Sequence, residues 1–431
     1  MKDDSRKIIE GDTFISLNDN KDNIIDAIRN GASKIICKKE VLDTLNVDEP
    51  RKYLAFYLDD LYKDKFNKVK IIGITGTNGK TTSCYLLWQI LNSLGYKCGY
   101  IGTIGFYIED KIKDLNNTTP DMVDLYEMIN ECIDSGCIYI VMEVSSQALS
   151  YGRIGNLKFN YAVFTNLTPD HLDYHKTMDN YCLSKQELFK RVLDYAVVNI
   201  DSDYSKYFLL DNNNITYGMK ESDYRISDIN DDSFKINDVI YKTNLIGKYN
   251  IYNLLVSIII LDKENIEYDK EIFNDLKYPK GRMDLVKYND NMIIVDYAHT
   301  PDAVKNVINT SKELNHNRII TVIGCGGDRD ATKRSVMGKI VTDESDYVIL
   351  TNDNPRTENE MSIINDMCKD IDTLNYEIIL DREKAIIKGI QMLSKNDILL
   401  VLGKGHEDYQ IIGDKKLHFS DMEVILKYIR E

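Results

Sequence analysis

Val69-Lys70-Ile71-Ile72-Gly73-Ile74-Thr75-Gly76-Thr77-Asn78-Gly79-Lys80-Thr81-Thr82 is the stretch on which the reading of this 431-residue chain turns. A β-rich run from Val69 to Ile74 meets a glycine-rich turn. An apolar-periodic helix then extends from Lys80 to about Leu94. Strand, glycine turn and helix in that order are the setting of a phosphate-binding loop. Gly76 and Gly79 let the backbone approach a phosphate with its N–H groups inward. The helix adds its positive N-terminal end. Lys80 is placed to reach β- and γ-phosphates, and the Thr81 hydroxyl suits Mg²⁺. Thr77, Asn78 and Thr82 complete the loop. The strict G-x-x-x-x-G-K-[ST] pattern asks for glycine at position 74, where this chain has Ile74. The bland alternative is an ordinary strand–turn–helix connection.

Reading outward, the pattern before the loop is a small α/β segment. Thr13 to Leu17 and Lys34 to Cys37 read as strands, and Asp22 to Asn30 as a short helix ended by Gly31. After the loop, strand signals at Lys97–Thr103, Ile138–Val144 and Tyr161–Thr165 alternate with helices. Thr119-Pro120 offers an N-cap and a first-turn proline for a helix reaching about Asp134. Such alternation predicts a mostly parallel sheet flanked by helices. Residues 200–244 are polar and strand-like, and Asn250 to Leu261 reads as a buried helix. A new α/β block begins near Gly281, with strands at Met292–Val295, Ile319–Ile323, Tyr347–Leu350 and Ile398–Leu402. The fold class is α/β in three units. They are a small N-terminal α/β unit (1–67), a central P-loop ATPase-like unit with a parallel sheet (68–280) and a Rossmann-like C-terminal unit (281–431). Three units also match the usual ~150 residues per domain.

The formal net charge is −15, so the surface as a whole repels nucleic acid and anionic membranes. A phosphate ligand must therefore be held by a local device, which the loop supplies. No apolar run approaches the ~18 residues of a membrane span, and the first residues lack an apolar signal region. The eight cysteines form no C-x-x-C pair, which argues against a structural zinc site and suits reduced thiols. The expectation is a cytoplasmic monomer with no nucleic-acid or membrane partner.

More chemistry-bearing motifs follow the loop in order. They are Met142-Glu143-Val144-Ser145-Ser146, the run from Phe164 to His175, Gly281-Arg282-Met283, and Val295 to Asp302. Then come Gly324 to Asp330, Asp353-Asn354-Pro355-Arg356 and Gly403 to Gln410. Glu143 ends an apolar strand, where α/β sheets place ligand-contacting groups, and a carboxylate there can hold Mg²⁺. Asp170, His171, Asp173 and His175 look superficially like a metal cluster, although from spacing alone a polar loop with helix-capping carboxylates is the better reading. Lys185 lies on a helix by pattern, where a solvated face is the ordinary reading. Gly324 to Asp330 alone is a weak nucleotide-loop signal.

Over nearly its whole length the chain resembles the Mur ligases, and most closely their MurE type. These enzymes add the third residue to UDP-N-acetylmuramoyl-L-alanyl-D-glutamate during peptidoglycan precursor synthesis. The resemblance implies ATP and Mg²⁺, with the metal held by Thr81, Glu143, His171 and a carbamylated Lys185 (N6-carboxylysine). Lys80, Glu143, His171 and Lys185 are thereby the implied catalytic set. Gly76 to Thr82, Asn250, Asn253, Arg282, Asp296 and His299 match nucleotide-side residues. Ser5, Thr118, Thr119, Ser145 and Arg153 match contacts to the UDP-muramoyl dipeptide, which makes the N-terminal unit a shortened UDP-binding domain. Gln147 stands where the family usually has His, and Tyr151 where Gln is frequent.

Arg334, Asp353, Asn354, Arg356, Gly403 and Glu407 match the amino-acid pocket, and the Asp-Asn-Pro-Arg form accompanies meso-diaminopimelate. The physics agrees, because a guanidinium grips a second carboxylate with paired charge-assisted bonds. The blander reading of this motif is an X-Pro turn with an exposed arginine. The implied reaction is amide formation through an acyl phosphate. The alternatives are a MurE-like paralogue joining an amino acid to another carboxylate, and a silent nucleotide-binding scaffold.

Overall fold

The computed structural model describes residues 1–18, 20–38, 44–230 and 232–430. Three larger sheets and one two-stranded hairpin organise them. A parallel three-stranded sheet comprises Thr13–Ile15, Lys34–Cys37 and Thr44–Asn46. The helix Pro50–Phe66 then leads into the central unit. The sequence pattern did not predict this helix, because its apolar residues fall on two faces. Leu54, Ala55 and Leu58 are buried, whereas Phe56 and Leu61 stay exposed.

The central sheet has eleven strands. Lys70–Thr75 lies between Tyr139–Glu143 and Phe159–Phe164, parallel to both. Cys98–Gly102 extends the parallel block on one side and Val192–Asn199 on the other. Each face of this block is covered by apolar helices. Lys248–Lys263 is the most deeply buried of them, with Leu254, Leu255, Val256 and the run Ile258–Leu261 at 0% exposure. Each such side chain contributes roughly 1.5–3 kcal/mol by leaving water. The polar stretch after residue 200 becomes Asn214–Gly218, Tyr224–Ser227, Ser233–Ile236 and Val239–Lys242, with antiparallel pairing at that edge.

The C-terminal sheet runs in the order Asp284–Tyr288, Asn291–Asp296, Ile398–Leu402, Ile319–Ile323, Tyr347–Leu350, Tyr376–Ile378. All its pairs are parallel except the opening hairpin. A hairpin, Tyr409–Ile412 with Lys415–His418, lies beyond it. Among the described residues no helix is long and apolar enough to cross a membrane.

One local expectation is corrected. The helix after Thr119-Pro120 begins at Met122 with Asp121 as its N-cap residue, so Pro120 lies before the cap. Thr119 does other work: its Oγ1 donates to the Glu143 carbonyl at 2.9 Å and accepts from the Ser145 amide at 3.0 Å. It ties the end of the Glu143 strand to this loop.

Candidate active site

Strand register sets the phosphate end of the cleft. Ile74 pairs with Glu143 and Val163, and Thr75 with Phe164. Position 74 is therefore buried strand, and the loop proper begins at Gly76, which is why isoleucine is accommodated there. Gly76 has φ 152°, and a Cβ on it would fall 1.9 Å from Thr165 Oγ1. Gly79 is left-handed at φ 87°, and no side chain caps the helix it opens. First-turn amides of that helix are thus left for an anion. Lys80 Nζ donates to the carbonyls of Gly76 and Thr77, both at 2.9 Å.

Glu143 is fully buried at the adjoining strand end. Its Oε2 accepts from the Thr81 hydroxyl at 2.8 Å, and its Oε1 from Tyr100 at 2.6 Å and the Thr103 amide at 2.8 Å. Hydroxyl and carboxylate oxygens side by side are hard donors that fit Mg²⁺. Among the described residues no three His, Cys, Asp or Glu gather into a metal cage.

His171 is left-handed at φ 54°, and its Nδ1 lies 3.2 Å from the Gln147 amide nitrogen. Burial and then Lys185 and Lys80 push its imidazole toward the neutral form, against Asp170. Burial opposes ionisation of Asp170, but Lys333, His171 and His299 outweigh it and hold this carboxyl well below the usual range. Lys333 Nζ reaches Asp170 Oδ1 at 3.3 Å. His175 instead bonds the Ser146 hydroxyl at 2.9 Å. The four-residue motif is therefore no metal cluster, and Asp170 is its link to the C-terminal unit.

Lys185 is 1% exposed and does not line the cleft. Its Nζ donates to the Gly76 carbonyl at 2.9 Å and lies 4.5 Å from the Tyr181 ring. Lys80 uses the same carbonyl. Burial and then the Lys80 charge drive the Lys185 ammonium pKa far below its ordinary value.

The nucleotide side is completed across the unit junction. Arg282 Nη2 lies 3.3 Å from Thr81 Oγ1, and its guanidinium sits over the Tyr297 ring at 4.6 Å. Asn78 Nδ2 donates to Asp302 at 2.9 Å. Asp296 accepts from the Met283 and Ala298 amides, at 2.7 and 2.8 Å. His299 Nδ1 contacts the Tyr297 carbonyl at 2.8 Å, and burial drops its pKa to about 3. Asn253 Oδ1 accepts from Ser83 at 3.2 Å, and Asn250 Nδ2 donates to the Ile246 carbonyl at 2.7 Å.

At the far end, Asp353, Asn354, Arg356, Gly403 and Glu407 line the same cleft, whose volume is about 1020 Å³. Asn354 Nδ2 donates to Glu407 Oε2 at 2.8 Å. Arg356 is left-handed at φ 53°, held by main-chain bonds to Ile411 and Gly413, and its Nη1 donates to the Gly327 carbonyl at 2.6 Å. Beneath lies Arg382, paired with Asp421 at full burial and donating to the carbonyls of Asn352 and Leu402. Those carbonyls immediately precede Asp353 and Gly403, so one buried ion pair fixes both loop starts.

Residues 74–261 match the Mur ligase middle domain, and residues 281–405 match the Mur ligase, glutamate ligase domain. The chain is 42% identical to the UDP-N-acetylmuramoyl-L-alanyl-D-glutamate–2,6-diaminopimelate ligase of Clostridium botulinum, covering 99% of this chain and 94% of that protein. It belongs to the Mur ligase family. The enzyme of the same name from Fusobacterium nucleatum is also 42% identical, over 99% of this chain and 93% of that one. A solved structure of a ligase of this name aligns over 100% of this chain and 94% of the other, with TM-score 0.68 and 31% identity.

Within this Mur ligase some expected residues sit apart from the cleft lining: Ser5, Gly76, Thr119, Lys185 and Arg334. Ser5 is buried in the turn Ser5–Lys7, its carbonyl accepting from Asn30 at 2.9 Å. Arg334 requires correction. Its two Nη groups donate to Glu358 at 2.8 Å, Asp366 at 3.0 Å and the Gly326 carbonyl at 3.1 Å, while its Nε has no partner. It braces the Gly324–Asp330 loop from behind instead of facing the amino acid. Thr118 bonds Thr103 at 3.0 Å, Ser145 caps the helix Ser146–Ser150, and Arg153 pairs with Asp121 at 3.1 Å. Sequence reasoning gave no role to Lys333, Tyr297 or Lys404, and only a structural one to Asp170. Lys404 stood inside a quoted motif and Lys333 three residues past one, but nothing in spacing alone distinguishes a buried lysine from a solvated one.

Proposed function

We propose that this chain is an ATP-dependent, ADP-forming ligase that joins meso-diaminopimelate to UDP-N-acetylmuramoyl-L-alanyl-D-glutamate, as a cytoplasmic monomer supplying peptidoglycan precursor. The observation that carries the reading is a single cleft. Thr77–Thr82 and Glu143 line one end, and Asp353, Asn354, Arg356 and Glu407 the other. The division into units 1–67, 68–280 and 281–431 belongs to the same proposal and is supported by their separate sheets.

A carboxylate oxygen is a poor leaving group, so the acid must be activated first. The D-glutamate γ-carboxylate attacks the γ-phosphorus of ATP, the bond to the β–γ bridging oxygen breaks, and ADP leaves. The amine of the incoming amino acid then attacks the acyl carbon, the carbon–oxygen bond to phosphate breaks, and the nitrogen gives up a proton. Positioning and charge neutralisation supply most of the rate in such transfers. Lys80 and the first-turn amides meet the charge on the moving phosphoryl group. Thr81, Glu143, His171 and, once carbamylated, Lys185 would hold Mg²⁺, which would supply further charge neutralisation. A buried lysine shifted toward its neutral amine is suited to carbamate formation: nitrogen adds to CO₂ and loses a proton. Asp170 with Lys333, Asn78 with Asp302 and Thr81 with Arg282 join the two larger units, so closure between them assembles the site.

The test is phosphate release from ATP with purified chain. Release should require both the UDP-muramoyl dipeptide and diaminopimelate. Release that proceeds equally with another carboxylate in place of the muramoyl dipeptide would overturn the assignment.

A further inference from the structure

Lys404 is completely buried, yet it is a cation beside the amino-acid end of the cleft. Its Nζ lies 3.1 Å from Glu407 Oε2 and 3.3 Å from Asn354 Oδ1. Asn354 donates to that same Glu407 oxygen and also accepts the Ile411 amide at 2.9 Å, which fixes its orientation. A second carboxylate faces this place. Asp353 Oδ2 is 2.7 Å from where a Cβ on Gly403 would lie, and its charge bears directly on Glu407. This side of the pocket therefore holds two carboxylates and one ammonium. Arg356 lines the same cleft, and its Nη1 is engaged by the backbone carbonyls of Gly327 and Asn354. Arg329 and Asp330 on the neighbouring loop are opposite in sign.

We propose that Lys404 is a specificity-determining positioning residue. It cancels one of the two carboxylates, so the pocket presents one net negative and one net positive centre. That arrangement matches an amino acid whose far end is a zwitterion, and disfavours one whose far end carries an ammonium alone. Without Lys404 the excess negative charge would repel a distal carboxylate and attract a lone ammonium. The inference rests on the diaminopimelate reading above and deepens it.

The experiment compares kcat/KM for meso-diaminopimelate and L-lysine in the full-length wild type, Lys404→Gln and Lys404→Arg. It is run at about pH 8.5, well above the ordinary carboxylate range. Lys404→Gln keeps a hydrogen bond to Glu407 and removes the charge. Its preference for diaminopimelate should fall at least about tenfold, as expected for one charge a few ångströms away in a partly shielded site. The change should appear as a higher KM for diaminopimelate and a lower KM for lysine, with the KM for ATP unmoved. Lys404→Arg keeps the charge and should keep the preference within about threefold. An unmoved preference in the glutamine variant, or an equal loss in the arginine variant, overturns the inference. Should the glutamine variant fail to fold, the arginine variant alone decides. A wild type that turns over no diaminopimelate overturns the parent reading and this inference with it. Wild-type turnover with an unmoved preference overturns only the role of Lys404.

Discussion

A deeply buried lysine lies behind each end of the cleft, and the two are treated oppositely. Lys185 has a carbonyl and an aromatic ring for company, and shares that carbonyl with a second ammonium, Lys80. Lys404 sits against the carboxylate of Glu407 with Asn354 completing the triangle. A buried charge without a partner costs several kcal/mol, so such a group gives up its proton or finds new charge. The phosphate end is therefore short of negative charge, which a bound nucleotide's phosphates and, in the function proposed above, a carbamate on Lys185 would supply. The amino-acid end is already balanced inside the chain and can afford to discriminate. The lysine at the phosphate end is left without a carboxylate, whereas the lysine at the amino-acid end has one, and only Arg356 there lacks a carboxylate partner.

The contrast is broken most severely at the phosphate end. Lys80→Ala should lower turnover by at least about 10²-fold with the fold retained, because the lysine meets charge that grows in the transition state. Steady-state kinetics with circular dichroism checks this, and near-normal turnover would remove the phosphate-loop assignment. Lys185→Ala should cost about as much or somewhat less, and small carboxylic acids such as formate should restore part of it by taking the oxygen-ligand position. Carbon-13 NMR of wild type in labelled bicarbonate should show a carbamate signal that this variant lacks.

Arg334→Met probes the paired side from behind. Losing a guanidinium shared by Glu358 and Asp366 should destabilise the protein by roughly 3 kcal/mol. The KM for the amino acid should rise severalfold while kcat changes little, since the braced loop lines the cleft and the arginine does not. A kcat loss as large as that of Lys80→Ala would return Arg334 to the reacting centre.

The smallest effect belongs to the N-terminal unit. Burial, and then Asp121, push the carboxyl of Asp3 up to about 6, and its Oδ2 has no partner. The folded pKa lies above the unfolded one, so the neutral acid favours the fold. That stability is complete below about pH 4 and is lost as pH rises through about 6. Asp3→Asn should match wild type at pH 4 and exceed it by about 1–2 kcal/mol at pH 7.5 in urea unfolding. A variant less stable than wild type at the higher pH would contradict this.

What the sequence made legible was what lies contiguously in it. The loop from Gly76 to Thr82 carries its glycines, lysine and threonine in one run, and Glu143 follows from its place at a strand end. The strands Ile319–Ile323, Tyr347–Leu350 and Ile398–Leu402 were readable as unbroken apolar runs. Pro50–Phe66 escaped because its apolar residues face both ways. The cap at Asp121 was misplaced by two residues because threonine before proline imitates a helix start. Arg334 and Arg356 are both arginines in matching motifs. Only the positions of Glu358 and Asp366, 24 and 32 residues beyond Arg334, show that one is consumed and the other faces the cleft. The link from Asp170 to Lys333 spans 163 residues and has no local signal.

The most direct test of this division of labour is kcat/KM for meso-diaminopimelate and L-lysine on the UDP-muramoyl dipeptide, in wild type and in Arg356→Ala. A site built around a distal carboxylate leaves its arginine desolvated and unpaired when lysine enters, which typically costs about 10⁴-fold. Wild type should therefore favour diaminopimelate by roughly that factor. Arg356→Ala should lose most of that preference while its KM for ATP stays constant. Equal use of lysine by the wild type, or an undiminished preference without Arg356, would contradict the account.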